Sequence, residues 1–473
     1  MNIAELRSEV AREWAGQALP DLTELIRIPA VSPAYDPAWQ ANGHLHRAVD
    51  HVRRWLEGRD LAGVRCTVEQ LDSRPPILVI EVSPTDGVGD QGTVLLYGHL
   101  DRQPSMGAWS AGRGPWEPYR EGDRLYGRGT VDDSYSAYVA VGALAAVRAA
   151  GGLHSRVVIL LETAEESASV DLPAYVELLR DRLGDVSLVI CLDSGGDDHE
   201  RLWLTTSLRG LVQATVTVRV LDTPVHSGLA GGIVPDSFRI LRQLLDRVED
   251  SGTGEIRLPE LNATIPDDRH AEVHSLASLA DRRRPSMPLA GTTRAVTDDA
   301  VEQILNNTWR PTLTITGAAG LPGTGEAIPV IRNSTSLRLS VRLPPTVDPE
   351  VAARALTEAL TVDVPYDASV EVTDLMLIRG WNAPTQSAWL TAALESAERN
   401  VFDGVPSRAI GLGGGIPFLE MLGRRYPQAQ FLATGAVRPD SNVHAPDEWL
   451  SIPFARDLTA VIAHVLDSHA RTS

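Results

Sequence analysis

Residues 94–101 have the sequence Val-Leu-Leu-Tyr-Gly-His-Leu-Asp, in which an apolar run ends in polar side chains. The run Val94–Leu96 is typical of a strand that is buried on both faces. In a parallel α/β sheet, functional groups collect just past the carboxyl ends of the strands. His99 there, with Asp101 two residues later, suits a metal ligand and the group that orients it, because a ligating histidine usually donates its second N–H to an acceptor. Taken alone, the pair fits an exposed loop equally well.

Acidic residues recur beside other apolar segments, at Asp132 and Asp133, at Glu165 and Glu166, and at Asp193. The last two groups follow strands predicted over Val157–Leu161 and Val186–Leu192. The aspartate pair precedes a helix predicted over Ala137–Ala149, which Ser134 can cap, so the pair is either part of a helix start or a bridge between metal ions. Carboxylates that cluster after buried strands must be either neutralised by a cation or exposed to solvent. The pattern predicts an α/β domain with a mixed, mostly parallel sheet flanked by helices.

The composition argues against several classes of protein. The 473 residues are too many for one ordinary core, which predicts two domains. A net charge of −19 without a basic block argues against a nucleic-acid or membrane partner. The chain lacks a stretch of about 18 uncharged apolar residues, and its first segment lacks the apolar centre of a signal peptide. Because the only cysteines are Cys66 and Cys191, we expect a cytoplasmic protein.

The pattern changes near residue 208, because apolar and polar residues then alternate over Leu211–Val220 as in a half-exposed antiparallel strand. The elements predicted next are a helix over Asp236–Val248, a strand over Leu337–Leu343, a helix over Pro349–Leu360 and a strand over Ser369–Thr373. This order is typical of an α+β domain. We therefore expect residues 1–208 and 381–473 to form one domain, with residues 209–380 inserted as a second.

Two further segments have unusual composition. In Gly411-Leu412-Gly413-Gly414-Gly415 the glycines let backbone N–H groups approach a ligand closely. A flexible surface turn is the alternative, but such a turn would rarely need so many glycines beside the apolar segment that follows. The Arg-rich stretch Arg282–Arg284 indicates no function and is typical of a solvated loop.

Six segments resemble, in order, those of the M20 metallopeptidase family, and within it the carnosinase-like dipeptidases. They are Tyr-Gly-His-Leu-Asp (97–101), Leu-Tyr-Gly-Arg-Gly-Thr-Val-Asp-Asp (125–133), Glu-Thr-Ala-Glu-Glu-Ser (162–167), Leu-Asp-Ser (192–194), Val-His-Ser-Gly (225–228) and Asn-Val-His-Ala-Pro-Asp-Glu (442–448). Together they extend over nearly the whole chain. The sequence departs from many relatives at Gly415, where they have serine or threonine, and at Leu412, where they have a polar or acidic residue.

The resemblance implies a role for each matching residue. One metal ion would be held by His99 and Asp193, the other by Glu166 and His444, with Asp132 between them. Glu165 would be the general base and Asp101 would orient His99. The inserted domain would be both a lid and a dimer interface, from which His226 reaches the partner's active site to stabilise the oxyanion. Arg342 would bind the terminal carboxylate of the substrate, with Gly413, Gly414 and Gly415 beside it.

The resemblance therefore implies a homodimeric dinuclear hydrolase that cleaves a peptide bond of a dipeptide or small peptide with a free carboxylate. Two histidines and three carboxylates suit two divalent ions, Zn²⁺ first and Mn²⁺ or Co²⁺ as alternatives. Two other functions remain open. The same site suits a deacylase of N-acyl amino acids, and a non-catalytic metal-binding homologue would keep the ligands but would not need Glu165.

Overall fold

The computed structural model describes residues 1–59, 61–277 and 289–472. The Arg-rich stretch Arg282–Arg284 lies outside these ranges. Among the described helices, none combines the length and the apolar character that a membrane span requires.

The strands of the described chain are β1 Val64–Glu69, β2 Ile77–Val82, β3 Thr93–His99, β4 Tyr119–Glu121, β5 Arg124–Tyr126, β6 Arg156–Glu162, β7 Val186–Cys191, β8 Trp203–Leu208, β9 Gly210–Arg219, β10 Val225–His226, β11 Thr312–Ala319, β12 Val330–Ile331, β13 Ser334–Leu343, β14 Ser369–Ile378, β15 Trp381–Asn382, β16 Arg408–Leu412, β17 Gln430–Ala433 and β18 Trp449–Ser451.

The α-helices among the described residues are α1 Ile3–Glu13, α2 Leu19–Ile26, α3 Trp39–Asn42, α4 His44–Glu57, α5 Ser136–Ala149, α6 Leu172–Leu178, α7 Arg180–Leu183, α8 Ser227–Ala230, α9 Ser237–Val248, α10 Asp267–Ala277, α11 Ala300–Thr308, α12 Pro349–Thr361, α13 Ala388–Val401, α14 Pro417–Arg425 and α15 Ile452–His469. A π-helical segment, Trp14–Ala18, joins α1 to α2.

The central sheet has six strands in the order β1-β2-β6-β3-β7-β17. The pairings β6–β3, β3–β7 and β7–β17 are parallel, whereas β1–β2 and β2–β6 are antiparallel. This topology confirms the predicted mixed, mostly parallel sheet. It places the ends of β3, β6 and β7 side by side, so the polar residues that follow them meet at one edge.

Both faces of the central sheet are buried, which explains why β3 is apolar without alternation. Val94 and Leu96 belong to one hydrophobic core, together with side chains of α5 and α15. The intervening Leu95 and Tyr97 belong to a second core, together with side chains of α6 and α14. Successive side chains of a strand point to opposite faces, so each half of the run packs against a different layer of helices.

A separate antiparallel sheet has the order β11-β13-β9-β14. Its inward-facing residues, including Val216 and Leu339, pack on α9 and α12 in a core of their own. The edge strand Thr312–Ala319 was not predicted from the sequence, because most of its residues are exposed and only one side of it pairs with a neighbour.

Helix α10 lies within the predicted insertion, yet it contacts residues of β8 and β15. The Thr206 hydroxyl donates to the Glu272 carboxylate at 2.8 Å, and the Arg269 guanidinium donates to the Asn382 side-chain oxygen at 2.9 Å. This part of the predicted insertion therefore packs on the strands that flank it in sequence. Its boundaries at residues 209 and 380 stay a prediction.

The expected capping role of Ser134 is wrong. Helix α5 begins at Ser136, and no side chain caps the N–H groups of its first turn. The Ser134 hydroxyl instead accepts hydrogen bonds from the buried Arg102 guanidinium. That guanidinium also donates to carbonyls at the end of α2, which a local sequence pattern could not reveal.

Candidate metal centre and active site

His99 is the last residue of β3 and is completely buried. The residue before it must be glycine, because a Cβ at Gly98 would overlap the Ser136 hydroxyl and lie 2.7 Å from the Asp133 carboxylate. The absence of a side chain thus lets the start of α5 pack directly against the strand. This close packing brings Asp132 and Asp133 beside His99.

The His99 ring is oriented by the main chain. Its Nδ1 lies 3.0 Å from the carbonyl oxygen of Asp101 and therefore donates a hydrogen bond to it. Its Nε2 faces carboxylates, at 3.3 Å from Asp132 Oδ1 and 3.9 Å from Asp193 Oδ1. This arrangement leaves the Nε2 lone pair available as a metal ligand.

The Asp132 carboxylate lies between two imidazoles. Its Oδ1 faces His99, and its Oδ2 lies 2.8 Å from His444 Nε2. The same His444 nitrogen is 3.4 Å from Glu166 Oε2. Each oxygen of this carboxylate is thus next to a different histidine, so that it would contact a cation held by either one.

The Asp101 carboxylate accepts hydrogen bonds from the segment that follows β6. Its two oxygens each accept a backbone N–H, one from Glu165 and one from Glu166, both at 3.1 Å. Its Oδ1 is also 3.5 Å from His99 Nδ1. Asp101, which was predicted to orient His99, therefore contacts the His99 ring mainly through its backbone carbonyl. The Asp101 side chain instead holds the backbone of Glu165 and Glu166.

Ligand atoms of two overlapping residue groups lie within 4.8 Å of one another, namely His99, Asp132 and Glu166, and His99, Glu165 and Asp193. The Glu166 carboxylate also accepts a hydrogen bond from the Gln103 amide at 2.6 Å. The donor set of imidazole nitrogens and carboxylate oxygens fits Zn²⁺, Mn²⁺ or Co²⁺.

The charges of the site call for cations. Burial raises the pKa of Glu165 and Asp193 well above their usual ranges, and nearby carboxylates raise them further. Burial alone would lower the pKa of His444, but Asp132 and Glu166 raise it to about 10. Burial would likewise raise the pKa of Asp132, yet hydrogen bonds from His444 and His99 hold it below its usual range. Protons on these groups reduce the repulsion between the buried carboxylates. Divalent cations bound at the cluster would have the same effect.

Glu448 is a structural residue of the site to which the sequence analysis gave no role. It is completely buried, its Oε2 pairs with Arg128 at 2.5 Å and its Oε1 accepts the Gly129 N–H at 2.9 Å. These contacts tie the loop that leads to Asp132 to the segment that carries His444. The only sequence signal was that Glu448 ends the last of the six motifs, since its partners lie about 320 residues away.

Other predicted residues stand apart from this cluster. A cavity of about 480 Å³ adjoins it and is lined in part by Gly414, whereas Gly413 and Gly415 are not among its lining residues. His226 also does not line it; the side chain is exposed at the end of β10 and its Nδ1 accepts the Gly228 N–H at 3.1 Å.

Arg342 lies on β13 beside Arg209. Burial lowers the pKa of Arg342, and no carboxylate of the described residues acts on it. Burial, and next the charge of Arg342, lower the pKa of Arg209 to about 10. A Cβ at Gly413 would lie 3.1 Å from the Arg209 guanidinium, so the glycine-rich turn adjoins this pair of cations.

A mixed α/β sheet with histidine and carboxylate side chains clustered at the ends of its parallel strands is an arrangement typical of metal-dependent hydrolases. The model of peptidase family M20/M25/M40 matches residues 95–468, and the chain belongs to this family.

Individual relatives are distant but extend over most of the chain. A cysteinylglycine-S-conjugate dipeptidase of Corynebacterium striatum is 26% identical over 365 residues, which are 76% of this chain and 77% of the relative. A β-Ala-His dipeptidase of Mus musculus is 27% identical over 403 residues, 83% of this chain and 80% of the relative. The solved structure of the dipeptidase Dug1p from Saccharomyces cerevisiae has a TM-score of 0.75 at 21% identity, with 99% of both chains covered, and so shares the fold.

Proposed function

We propose that the protein is a dinuclear metal-dependent hydrolase that cleaves the peptide bond of a dipeptide or small peptide with a free carboxylate. The observation that carries this proposal is the Asp132 carboxylate, whose oxygens face His99 and His444 separately while Glu165 lies beside the same cluster. The dipeptidase names of the relatives from Corynebacterium striatum and Mus musculus support the substrate class.

We assign His99 and Asp193 to one cation, Glu166 and His444 to the other, and Asp132 to both. Zn²⁺ is the proposed metal, with Mn²⁺ and Co²⁺ as alternatives. Two divalent cations supply Lewis acidity, which activates water and polarises the scissile carbonyl.

Glu165 is the proposed general base. Its backbone is held by Asp101, and burial raises the pKa of its carboxyl, which makes the carboxylate a stronger base. In this role it removes a proton from the attacking water and delivers it to the leaving amine. A protein that only stored metal would not need a carboxylate at this position.

Arg342 is the proposed partner of the substrate carboxylate. It is a half-buried guanidinium without an acidic neighbour among the described residues, and the glycine-rich turn links its surroundings to the metal cluster. Backbone N–H groups of Gly413, Gly414 and Gly415 would complete the anion site.

We further propose a homodimer in which residues 209–380 form a lid and dimerisation domain. Exposed apolar side chains lie near His226 in sequence, namely Leu229 and Ile233 after it and Ile328 beside the paired strand β12. A partner subunit would cover them, and its own His226 would reach the active site to stabilise the oxyanion.

We expect a cytoplasmic protein whose partner is a small substrate. Cys66 and Cys191 are both free thiols, as a reducing compartment favours. The net charge of −19 disfavours nucleic acid.

The activity is tested on purified protein that has been stripped of metal and reloaded with Zn²⁺, Mn²⁺ or Co²⁺. The panel holds dipeptides, N-acyl amino acids and amides without a carboxylate, with Glu165→Ala as the control. Metal-dependent cleavage of dipeptides that disappears in the control supports the proposal. Cleavage of N-acyl amino acids alone would identify a deacylase, and two bound metals without any cleavage would favour a non-catalytic homologue.

The shared site is tested by mixing subunits. His226→Ala and Glu165→Ala proteins are each expected to be inactive, whereas mixed dimers should contain one complete site and recover activity. Absence of recovery after verified subunit exchange would contradict a shared site.

A further inference from the structure

The cavity beside the metal cluster has two kinds of wall. Asp132, Glu165, Glu166, Asp193 and His444 form the wall at the cluster. The apolar lining residues are Ile410, Leu412, Ile416, Val437, Pro439 and Val443. They come from β16 and the turn before α14 on one side and from the segment after β17 on the other. A group attached to a substrate at the cluster would therefore lie among aliphatic side chains.

Arg438 is also one of the lining residues of this cavity. Its guanidinium donates to the carbonyls of Gly435 at 3.0 Å and Val437 at 2.7 Å, and it lies 4.1 Å from the centre of the Phe454 ring. The side chain is only 3% exposed. These contacts, with a further hydrogen bond to the Asp198 carbonyl, use two of its nitrogens to hold the segment after β17 in place.

Asp197 is the other charged lining residue outside the cluster, and it has the same sign as the cluster. A carboxylate on a substrate side chain in this cavity would lie near the like charge of Asp197. An uncharged polar side chain would lose its hydrogen bonds to water against the aliphatic wall. The composition of the walls therefore selects against both.

We propose that this cavity binds an apolar side chain, or an apolar acyl group, next to the scissile bond. The inference rests on the proposed hydrolase function and names its substrate class. The volume of about 480 Å³ lies within the range of roughly 300–1,000 Å³ that is usual for small-ligand sites. In an apolar pocket, one methylene more or less changes kcat/KM by about 10- to 200-fold.

The test uses matched pairs of dipeptides in which one residue is varied and the other is glycine. Valine is compared with threonine, which has the same shape, and leucine with asparagine and lysine, at each of the two positions. We expect valine to exceed threonine by up to about 100-fold in kcat/KM at one position, and leucine to exceed asparagine and lysine there. Equal rates, or a preference for asparagine or lysine at both positions, would overturn the inference.

Two variants test whether the wall at Leu412 causes the preference for valine over threonine. Leu412→Asn places an amide in the wall and should reduce the ratio of valine to threonine substrates about tenfold or more. The same substitution at Leu178, an exposed residue of α6 outside the cavity, should leave the ratio unchanged. An unchanged ratio in Leu412→Asn would contradict the assignment of this wall.

A binding measurement separates this inference from the proposed function. Calorimetry on metal-loaded Glu165→Ala protein should show tighter binding and a more negative heat-capacity change for the valine dipeptide than for its threonine counterpart. If the wild-type protein cleaves nothing but this difference is present, the hydrolase proposal fails and the apolar pocket stands. If cleavage occurs without any apolar preference, the pocket assignment fails alone.

Discussion

Replacing Asp101 by asparagine tests how the two glutamates of the site are held. In the structure each Asp101 oxygen accepts one backbone N–H, from Glu165 and from Glu166, both at 3.1 Å. Asparagine has the same shape but only one acceptor oxygen, so its NH₂ group would face an N–H donor. One of the two hydrogen bonds must therefore be lost.

The expected loss follows from the charge of this acceptor. A hydrogen bond to a charged group contributes about 1.5–3 kcal/mol, which corresponds to about 10- to 150-fold in an equilibrium or rate constant. Asp101 is completely buried, so water cannot replace the lost acceptor. We expect Asp101→Asn to lower metal affinity or kcat/KM by about 10- to 100-fold, as is usual for residues that support metal ligands.

The assay combines competition with a metal chelator and dipeptide hydrolysis at saturating metal. Asp90→Asn is the matched control, because the Asp90 carboxylate also accepts a backbone N–H, from Gly92 at 3.1 Å, but in an exposed loop. That control should behave as wild type. If Asp101→Asn keeps both metal affinity and kcat/KM within about twofold of wild type, the positioning role derived from these hydrogen bonds is refuted.

Three further predictions concern single residues. Glu165→Gln should lower kcat by about 10²- to 10⁴-fold while elemental analysis still finds two metal ions per subunit; a variant that keeps its kcat would rule out Glu165 as the base. Arg342→Met should raise KM about 10-fold or more for dipeptides but leave C-terminally amidated analogues unaffected, and equal effects on both would argue against carboxylate binding. Burial raises the pKa of Glu162 from 4.5 to about 7, although Tyr97 and Ser169 donate hydrogen bonds to it. The folded state thus binds this proton more tightly than the unfolded state, and stability falls by about 3 kcal/mol as pH rises from 4.5 to 7. Glu162→Gln should remove that part of the pH dependence in urea unfolding of the metal-free protein, and an unchanged profile would contradict the assignment.

The sequence predicted the central sheet well because its signal is local. A strand buried on both faces must be apolar throughout, and Val157–Leu161 and Val186–Leu192 fulfil this condition as clearly as Val94–Leu96 does. The observed strands over Arg156–Glu162 and Val186–Cys191 agree to within one residue at each end. An exposed edge strand such as Thr312–Ala319 need not be apolar, so its sequence shows no comparable apolar run.

The contacts that assemble the site could not be predicted in this way. The pairing of Glu448 with Arg128 and the hydrogen bonds of Asp101 to the amides of Glu165 and Glu166 join residues that are far apart in the chain. Apart from its place at the end of the last of the six motifs, nothing in the local sequence distinguishes Glu448 from a solvated glutamate. Its burial follows only from the packing of the two segments that it connects.

By itself, the sequence determined which residue types end the buried strands, and hence the chemistry that the site can perform. Burial on both faces forces strand interiors to be apolar, so a histidine or carboxylate at the strand end is visible in the sequence. Only the tertiary structure decided which oxygen faces which nitrogen. The strand order β1-β2-β6-β3-β7-β17 brings His99 and Asp193 to one edge, and close packing at Gly98 places Asp132 between His99 and His444. These distances depend on how layers distant in sequence pack together, and no short stretch of the chain contains that information.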